Sequence, residues 1–276
     1  MLKTLFIRSF SGLVFISIMI TSLLFHPIAY GLLMMLITSV MTLEYFRITL
    51  RSRQLLSQCL MMVTGALLFS LFWALMRYHI PEVWFLLLVF PMSTVWICLL
   101  YQKRVKNYAK APHLFIPLLY ITLPLTLTTL LAFDEWGHFN GKILLALFVI
   151  LWSSDVGAYL FGMAFGQKKG HKLFPSLSPK KSWEGFFGGL LTALLAGFIL
   201  YRVEWLPYPI VFTLFFSILL HIFGVWGDLV ESQLKRHFQV KDSGKIMPGH
   251  GGLLDRFDSA LLAFPVVITC IKLLKF

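Results

Sequence analysis

Nine apolar stretches, each about as long as a helix must be to cross the hydrocarbon core of a bilayer, recur along the whole chain. They fall at approximately 9 to 26, 28 to 46, 55 to 76, 82 to 101, 113 to 133, 141 to 164, 184 to 202, 208 to 227 and 252 to 274. Hydrocarbon offers no partner to a backbone N–H or C=O, so such stretches are confined to helices that close their hydrogen bonds internally. With 58% hydrophobic and 13% charged residues and a mean hydropathy of +0.82, no part is large and polar enough to be a separate soluble domain. The expected fold is all-α: a polytopic integral membrane protein of about nine transmembrane helices, its N-terminus cytoplasmic. It forms a single membrane domain over residues 1–276, with N-terminal spans over 1–135 and the spans and loops of the chemistry over 140–276.

Pro27 after His26 separates the first two spans, because proline disfavours helix at the residue before it. Lys3 and Arg8 before an apolar run resemble a signal peptide, but no small-residue cleavage pattern follows, and a retained first helix is expected. Cys59, Cys98 and Cys270 lack metal-ligand spacing and read as small buried hydrophobes. With the N-terminus inside, the cytoplasmic segments hold 19 of the 24 Lys and Arg residues. The opposite side keeps Arg77, Lys142, Arg202, Lys272 and Lys275. The net charge of +12 therefore sits in loops between spans, where it suits anionic headgroups and phosphorylated substrates; nucleic acid, which needs a basic face on a solvent-exposed domain, is not expected.

Carboxylates are scarce and unevenly placed. Five of the twelve, Asp228, Glu231, Asp242, Asp255 and Asp258, lie within residues 224–258, among Lys235, Arg236, Lys241, Lys245 and Arg256. Asp228, Glu231, Ser232 and Lys235 have i, i+3, i+4, i+7 spacing and would share one face of a helix leaving the membrane; a solvated amphipathic face is the alternative. Asp255 and Asp258 are three apart at the entry of the last span, which lets both carboxylates reach one metal centre. Between them and the eighth span, PGHGG at 248–252 brings glycines that let a ligand approach the backbone, and a helix start whose N–H groups suit a phosphate. His250 suits a general base, a phosphate donor or a loop residue bonded to backbone.

Two upstream elements add candidates. Asp155, in LWSSDVGAYLFG at 151–162, is a carboxylate in an apolar span, either lining a hydrated site with Ser153, Ser154 and Tyr159 or paired with a basic neighbour to hold helices together. Gly157 and Gly162 favour close helix approach. In HKLFPSLSPKKSWEG at 171–185, Ser178-Pro179 reads as a turn, and Ser182 with Glu184 as a helix start. Lys180 and Lys181 are phosphate ligands or simply positive-inside anchors. There is no Ser-His-Asp order, HExxH helix or Walker loop.

The ordered set Ser232, Lys235, Arg236, Lys241, Asp242, Gly244, Pro248, His250, Gly251, Gly252, Asp255, Arg256 and Asp258, with SPKKSWEG and SDVGAY upstream, resembles the signature of the phosphatidate cytidylyltransferases, or CDP-diacylglycerol synthases. The resemblance covers about residues 150 to 260. Met247 and Met163 depart from the usual residues, and the segment before His171 is longer than the common form. The resemblance implies cytidylyl transfer from CTP to phosphatidate, giving CDP-diacylglycerol and pyrophosphate, with magnesium required. Asp228, Asp255 and Asp258, with Asp155, are then the expected metal ligands. Lys235, Arg236, Arg256, Lys180 and Lys181 would neutralise phosphates, Ser178, Ser232, Lys241, Gly251 and Gly252 would contact substrate, and His250 would support. A second cation and a homodimer are open alternatives, membrane lipids are expected neighbours, and the expected location is a bacterial inner membrane with the site facing the cytoplasm. A related lipid cytidylyl- or phosphotransferase and a secondary transporter are the rival readings; no inverted repeat of the charges favours the transporter.

Overall fold

The computed structural model describes residues 2–50, 54–101, 109–166, 170–247, 249 and 251–275. Helices α1 (Leu2–Phe25) and α2 (Pro27–Thr49) are followed by α3 (Leu55–Tyr78), α4 (Glu82–Leu100), α5 (Pro112–Ala132) and α6 (Lys142–Gly166). A hairpin of β1 (Lys172–Phe174) and β2 (Ser178–Ser182) precedes α7 (Trp183–Arg202), α8 (Ile210–His237) and α9 (Leu254–Leu273). Among the described residues, the seven helices α2 to α8 are long and apolar enough to cross a membrane. The first expected span appears as α1, whose apolar part Ser9–Phe25 is shorter, and the last as α9, which opens on charged residues. The architecture is that of a helical, polytopic integral membrane protein; the antiparallel β1–β2 hairpin is its departure from all-helical.

The break expected at Pro27 is present. His26 is extended, at φ −151° and ψ 129°, and its Nδ1 accepts the amide of Ile28 at 3.1 Å, capping α2 where proline has no N–H to give. The turn expected at Ser178-Pro179 is not: those residues lie in β2, and the reversal falls at 175–177, closed by Leu177 N to Phe174 O. A strand with one unpaired edge tolerates proline. The cysteines also differ from expectation, with Cys59 exposed and Cys98 and Cys270 half-buried, all three free. On apolar helices an exposed thiol meets hydrocarbon, not water, so burial within the protein is not required of it.

The chain divides into two compact units, one of residues 1–140 and 240–256, the other of 141–239 and 257–276. In the first, Tyr30 on α2, with no exposed surface, shares a 2.7 Å hydrogen bond with Thr128, and its ring packs near Phe69, Phe133 and Phe139. The loop 240–256, expected with the later spans, belongs to this unit.

In the second unit α6 and α7 run against each other on small residues. Added Cβ atoms at Gly157 and Gly188 would strike Thr192 and Phe161, and one at Gly185 would stand 2.8 Å from Ala158 O. In hydrocarbon, helix association rests on such close packing and on interhelical hydrogen bonds, here Thr192 Oγ1 to Ser153 O at 2.9 Å. Beyond this seam α8, with 28 residues, is about 42 Å long and outruns a core of about 30 Å. The polar residues Asp228 to His237 are carried on its last turns.

Gly185→Val should lower the stability of the purified protein by about 1–3 kcal/mol through overpacking, read as a lower thermal midpoint in detergent. Leu195→Ala, at a position 52% exposed, should leave the midpoint nearly unchanged; equal effects of the two would show that the α6–α7 seam is not close-packed.

Candidate active site

The end of α8 carries the predicted polar face, and the structure decides between its two readings. Ser232 Oγ donates to Asp228 Oδ1 at 3.2 Å, and Lys235 forms an ion pair with Glu231, both one turn apart. Glu231 has no exposed side-chain surface and Lys235 only 12%, so this is not a solvated amphipathic face. A buried pair of this kind needs both partners, because removing one leaves a charge without compensation. Arg236, the next residue, is exposed.

Helices α8 and the later part of α9 meet at Gly227. A Cβ there would run into the carbonyl oxygen of Asp258 and stand 3.1 Å from Ser259 Cα. The missing side chain therefore sets Asp228 and Asp258 beside each other. Asp258 faces the charges of Asp228, Glu231 and Asp155. Lys181, from the end of β2, answers part of this negative charge: its Nζ lies 2.7 Å from Asp228 Oδ2 and 3.4 Å from Val225 O. Three oxygen-bearing side chains that the sequence reading assigned to a metal, Asp155, Asp228 and Asp258, are thus brought into one electrostatic neighbourhood. Among the described residues, no three His, Cys, Asp or Glu side chains are already arranged to hold a metal ion. The donor set, all carboxylate oxygen, is of the hard type that suits magnesium.

The β1–β2 hairpin positions Lys181. Ser182 ends β2 in an extended conformation, and its hydroxyl accepts the amide of Gly185 at 3.2 Å to start α7, as the sequence suggested. Glu184, expected to complement the helix dipole, also accepts the amide of His171 at 3.0 Å and so fastens the base of the hairpin. Ser178 is half-buried and Lys180 exposed on β2, with no contact to the carboxylates described for either. Ser154, expected to line a hydrated site with Asp155, instead meets the fully buried His221 at 2.7 Å.

Asp255 is placed differently from Asp258. Its Oδ2 accepts Ser243 N at 2.9 Å, Ser243 Oγ at 2.9 Å and Gly252 N at 2.8 Å. Of the N–H groups at the start of α9, expected to be open to a phosphate, three are therefore already used. Gly252 N goes to Asp255, while Leu253 N and Leu254 N go to Glu44 at 3.2 and 2.8 Å. The glycines make room for the chain's own carboxylates. A Cβ at Gly251 would stand 2.6 Å from Asp255 Oδ2, and one at Gly252 would stand 2.5 Å from both Glu44 oxygens. Gly251, with φ +87°, also needs its glycine for conformation. Lys241 and Arg256 are exposed around this loop, and His250 lies outside the described residues.

Glu44, Ser243 and His221 were missed by sequence reasoning. For Glu44 the signal was present: a lone carboxylate inside an apolar span, the same signal that marked Asp155. Ser243 and His221 carry no comparable mark, since their importance comes from what the fold places against them.

Comparison with known proteins bears on what this arrangement is for. The chain is 51% identical over 117 residues to a phosphatidate cytidylyltransferase of Bacillus subtilis (strain 168), covering 42% of each chain. It is 48% identical over 126 residues to one of Staphylococcus epidermidis, covering 46% of this chain and 47% of that one. A Staphylococcus aureus relative of the same name is 49% identical over 125 residues, covering 45% of this chain and 46% of its own. The matched stretch thus spans less than half the length of these curated relatives. The model of the cytidylyltransferase family matches nearly end to end, over residues 6–274, and on that match the chain belongs to the cytidylyltransferase family.

Proposed function

We propose that this protein transfers a cytidylyl group from CTP to phosphatidate, forming CDP-diacylglycerol and releasing pyrophosphate. The observation that carries the reading is the juxtaposition of Asp228, Asp258 and Asp155 with Lys181 and the Glu231–Lys235 pair in a helical membrane protein of this family. Two anionic substrates must meet in such a reaction, and a site of mixed carboxylates and cations near the end of a membrane helix suits both the lipid and a soluble nucleotide.

A phosphatidate phosphate oxygen attacks the α-phosphorus of CTP in line; the new P–O bond forms as the bond to pyrophosphate breaks. The phosphate is already anionic at neutral pH, so neither a covalent enzyme nucleophile nor a strong general base is needed. Asp228 and Asp258, with Asp155, would hold magnesium, and Asp255, one turn before Asp258 on α9, is a further proposed ligand. When bound, the ion stabilises charge on the attacking and departing oxygens. Lys180, Lys181, Lys235, Arg236, Lys241 and Arg256 would neutralise phosphates, and Ser178 and Ser232 would contact substrate. Lys181, bridged to Asp228, is placed to exchange that partner for a phosphate. His250 has a supporting role. The excess of Lys and Arg in alternate loops supports an N-terminus and both polar segments on the cytoplasmic side of a bacterial inner membrane, where CTP is available.

Purified protein with labelled CTP, phosphatidate and magnesium should yield a lipid-soluble CDP product, lost on chelation and regained with magnesium. Turnover only with another phospholipid acceptor would overturn the substrate assignment. Asp228→Asn and Asp258→Asn should each lower kcat by about 100-fold or more at unchanged size-exclusion profile; near-normal turnover in either removes that residue from the metal centre. For orientation, Lys180→Cys in a cysteine-free background should react with an impermeant maleimide in inverted vesicles but not in right-side-out ones. The opposite labelling would reverse the topology.

A further inference from the structure

Glu44 has no part in the chemistry above, yet it is a carboxylate with no exposed surface on a helix of mostly apolar residues. Its oxygens receive three donors from one loop: Ser243 Oγ at 3.3 Å, Leu253 N at 3.2 Å and Leu254 N at 2.8 Å. The first N–H groups of a helix have no carbonyl partner of their own. At α9 the partner comes from 210 residues away in sequence rather than from a local cap.

The loop is shaped around that carboxylate. Added Cβ atoms at Gly244 and Gly252 would both collide with it. Asp255 also binds the neck, taking Ser243 N and Gly252 N on one oxygen and sharing the single Ser243 hydroxyl proton with Glu44. Inside the neck, Met247 N donates to Gly251 O at 3.0 Å, and Gly249 and Gly251 hold φ of +76° and +87°. Anchored at both ends in this way, the loop keeps Lys241, Lys245 and Arg256 exposed.

From this geometry we infer that Glu44 is a positioning residue for the nucleotide: by fixing the chain at Ser243, Leu253 and Leu254, it holds Lys241, Lys245 and Arg256 ready for the triphosphate of CTP. The inference rests on the cytidylyl-transfer reading above. A carboxylate buried in this way bears a desolvation cost that a local Ser or Asp cap, wetted at the helix start, would avoid. Its return is a backbone that does not reorganise when a highly charged ligand arrives. Glu44 acts through the loop and touches neither substrate.

The test compares full-length wild type, Glu44→Gln, Glu44→Asp and Ser243→Ala in detergent–lipid micelles. Glu44→Gln keeps the size but turns an amide NH2 toward backbone donors. It should raise KM for CTP roughly tenfold or more while KM for phosphatidate stays within about twofold. Glu44→Asp should fall between it and wild type. Hydrogen exchange of the peptide containing Leu253 and Leu254 should accelerate in Glu44→Gln. Unchanged KM for CTP, or an equal loss for both substrates, would overturn the inference. If Glu44→Gln does not fold, Ser243→Ala serves in its place, since it removes the hydroxyl that Glu44 and Asp255 share without stranding a charge. A wild-type KM for CTP in that variant is then decisive against the proposal. Absence of any CTP turnover in wild type defeats the cytidylyl-transfer reading instead. In that case slower or unchanged exchange at Leu253 and Leu254 in Glu44→Gln would separately defeat the anchoring role.

Discussion

A carboxylate can remain inside a bundle of apolar helices only where donors or cations are brought to it, and this constraint shapes both units of the protein. Glu44 has three donors delivered by a loop, and Glu231 has Lys235 one turn along its own helix. Leaving either group without its partner would cost several kcal/mol, far more than most surface contacts contribute. The surrounding backbone is arranged accordingly, with glycine wherever a side chain would keep the partners apart.

Glycine has two distinct uses here. At Gly157, Gly185 and Gly188 it lets α6 and α7 approach, the packing that substitutes for a hydrophobic drive in hydrocarbon. At Gly227, Gly244 and Gly252 it lets polar groups approach, setting Asp228 beside Asp258 and admitting Glu44 to the loop. The first kind builds a scaffold; the second builds a site. The Gly-rich stretch before α9 looks in sequence like an anion cradle, but the amides of Gly252, Leu253 and Leu254 already serve carboxylates of the chain itself.

Much of the helical layout was legible beforehand. The eighth helix shares its polar face as the spacing indicates, Ser182 caps α7, and the break at His26–Pro27 is where proline requires it. The readings that went astray share a cause. Ser178-Pro179 looked like a turn because local chemistry permits one, but pairing with β1 drew it into a strand. Ser154 looked like a wall of a hydrated site, but His221, 67 residues away, claimed it. The N–H groups of Leu253 and Leu254 looked open because Glu44, the carboxylate that closes them, lies far upstream.

The sequence by itself determined that the chain is a polytopic helical membrane protein and about where its spans lie, because hydrocarbon length and proline act locally. Only the tertiary structure decided which carboxylates stand together. Asp258 joins Asp228, Glu231 and Asp155, while Asp255, three residues earlier, is turned to Ser243 and Gly252 beside Glu44. The physical reason is that a buried charge is satisfied by whichever donors the fold brings within hydrogen-bond reach, and that distance is not written in the spacing along the chain.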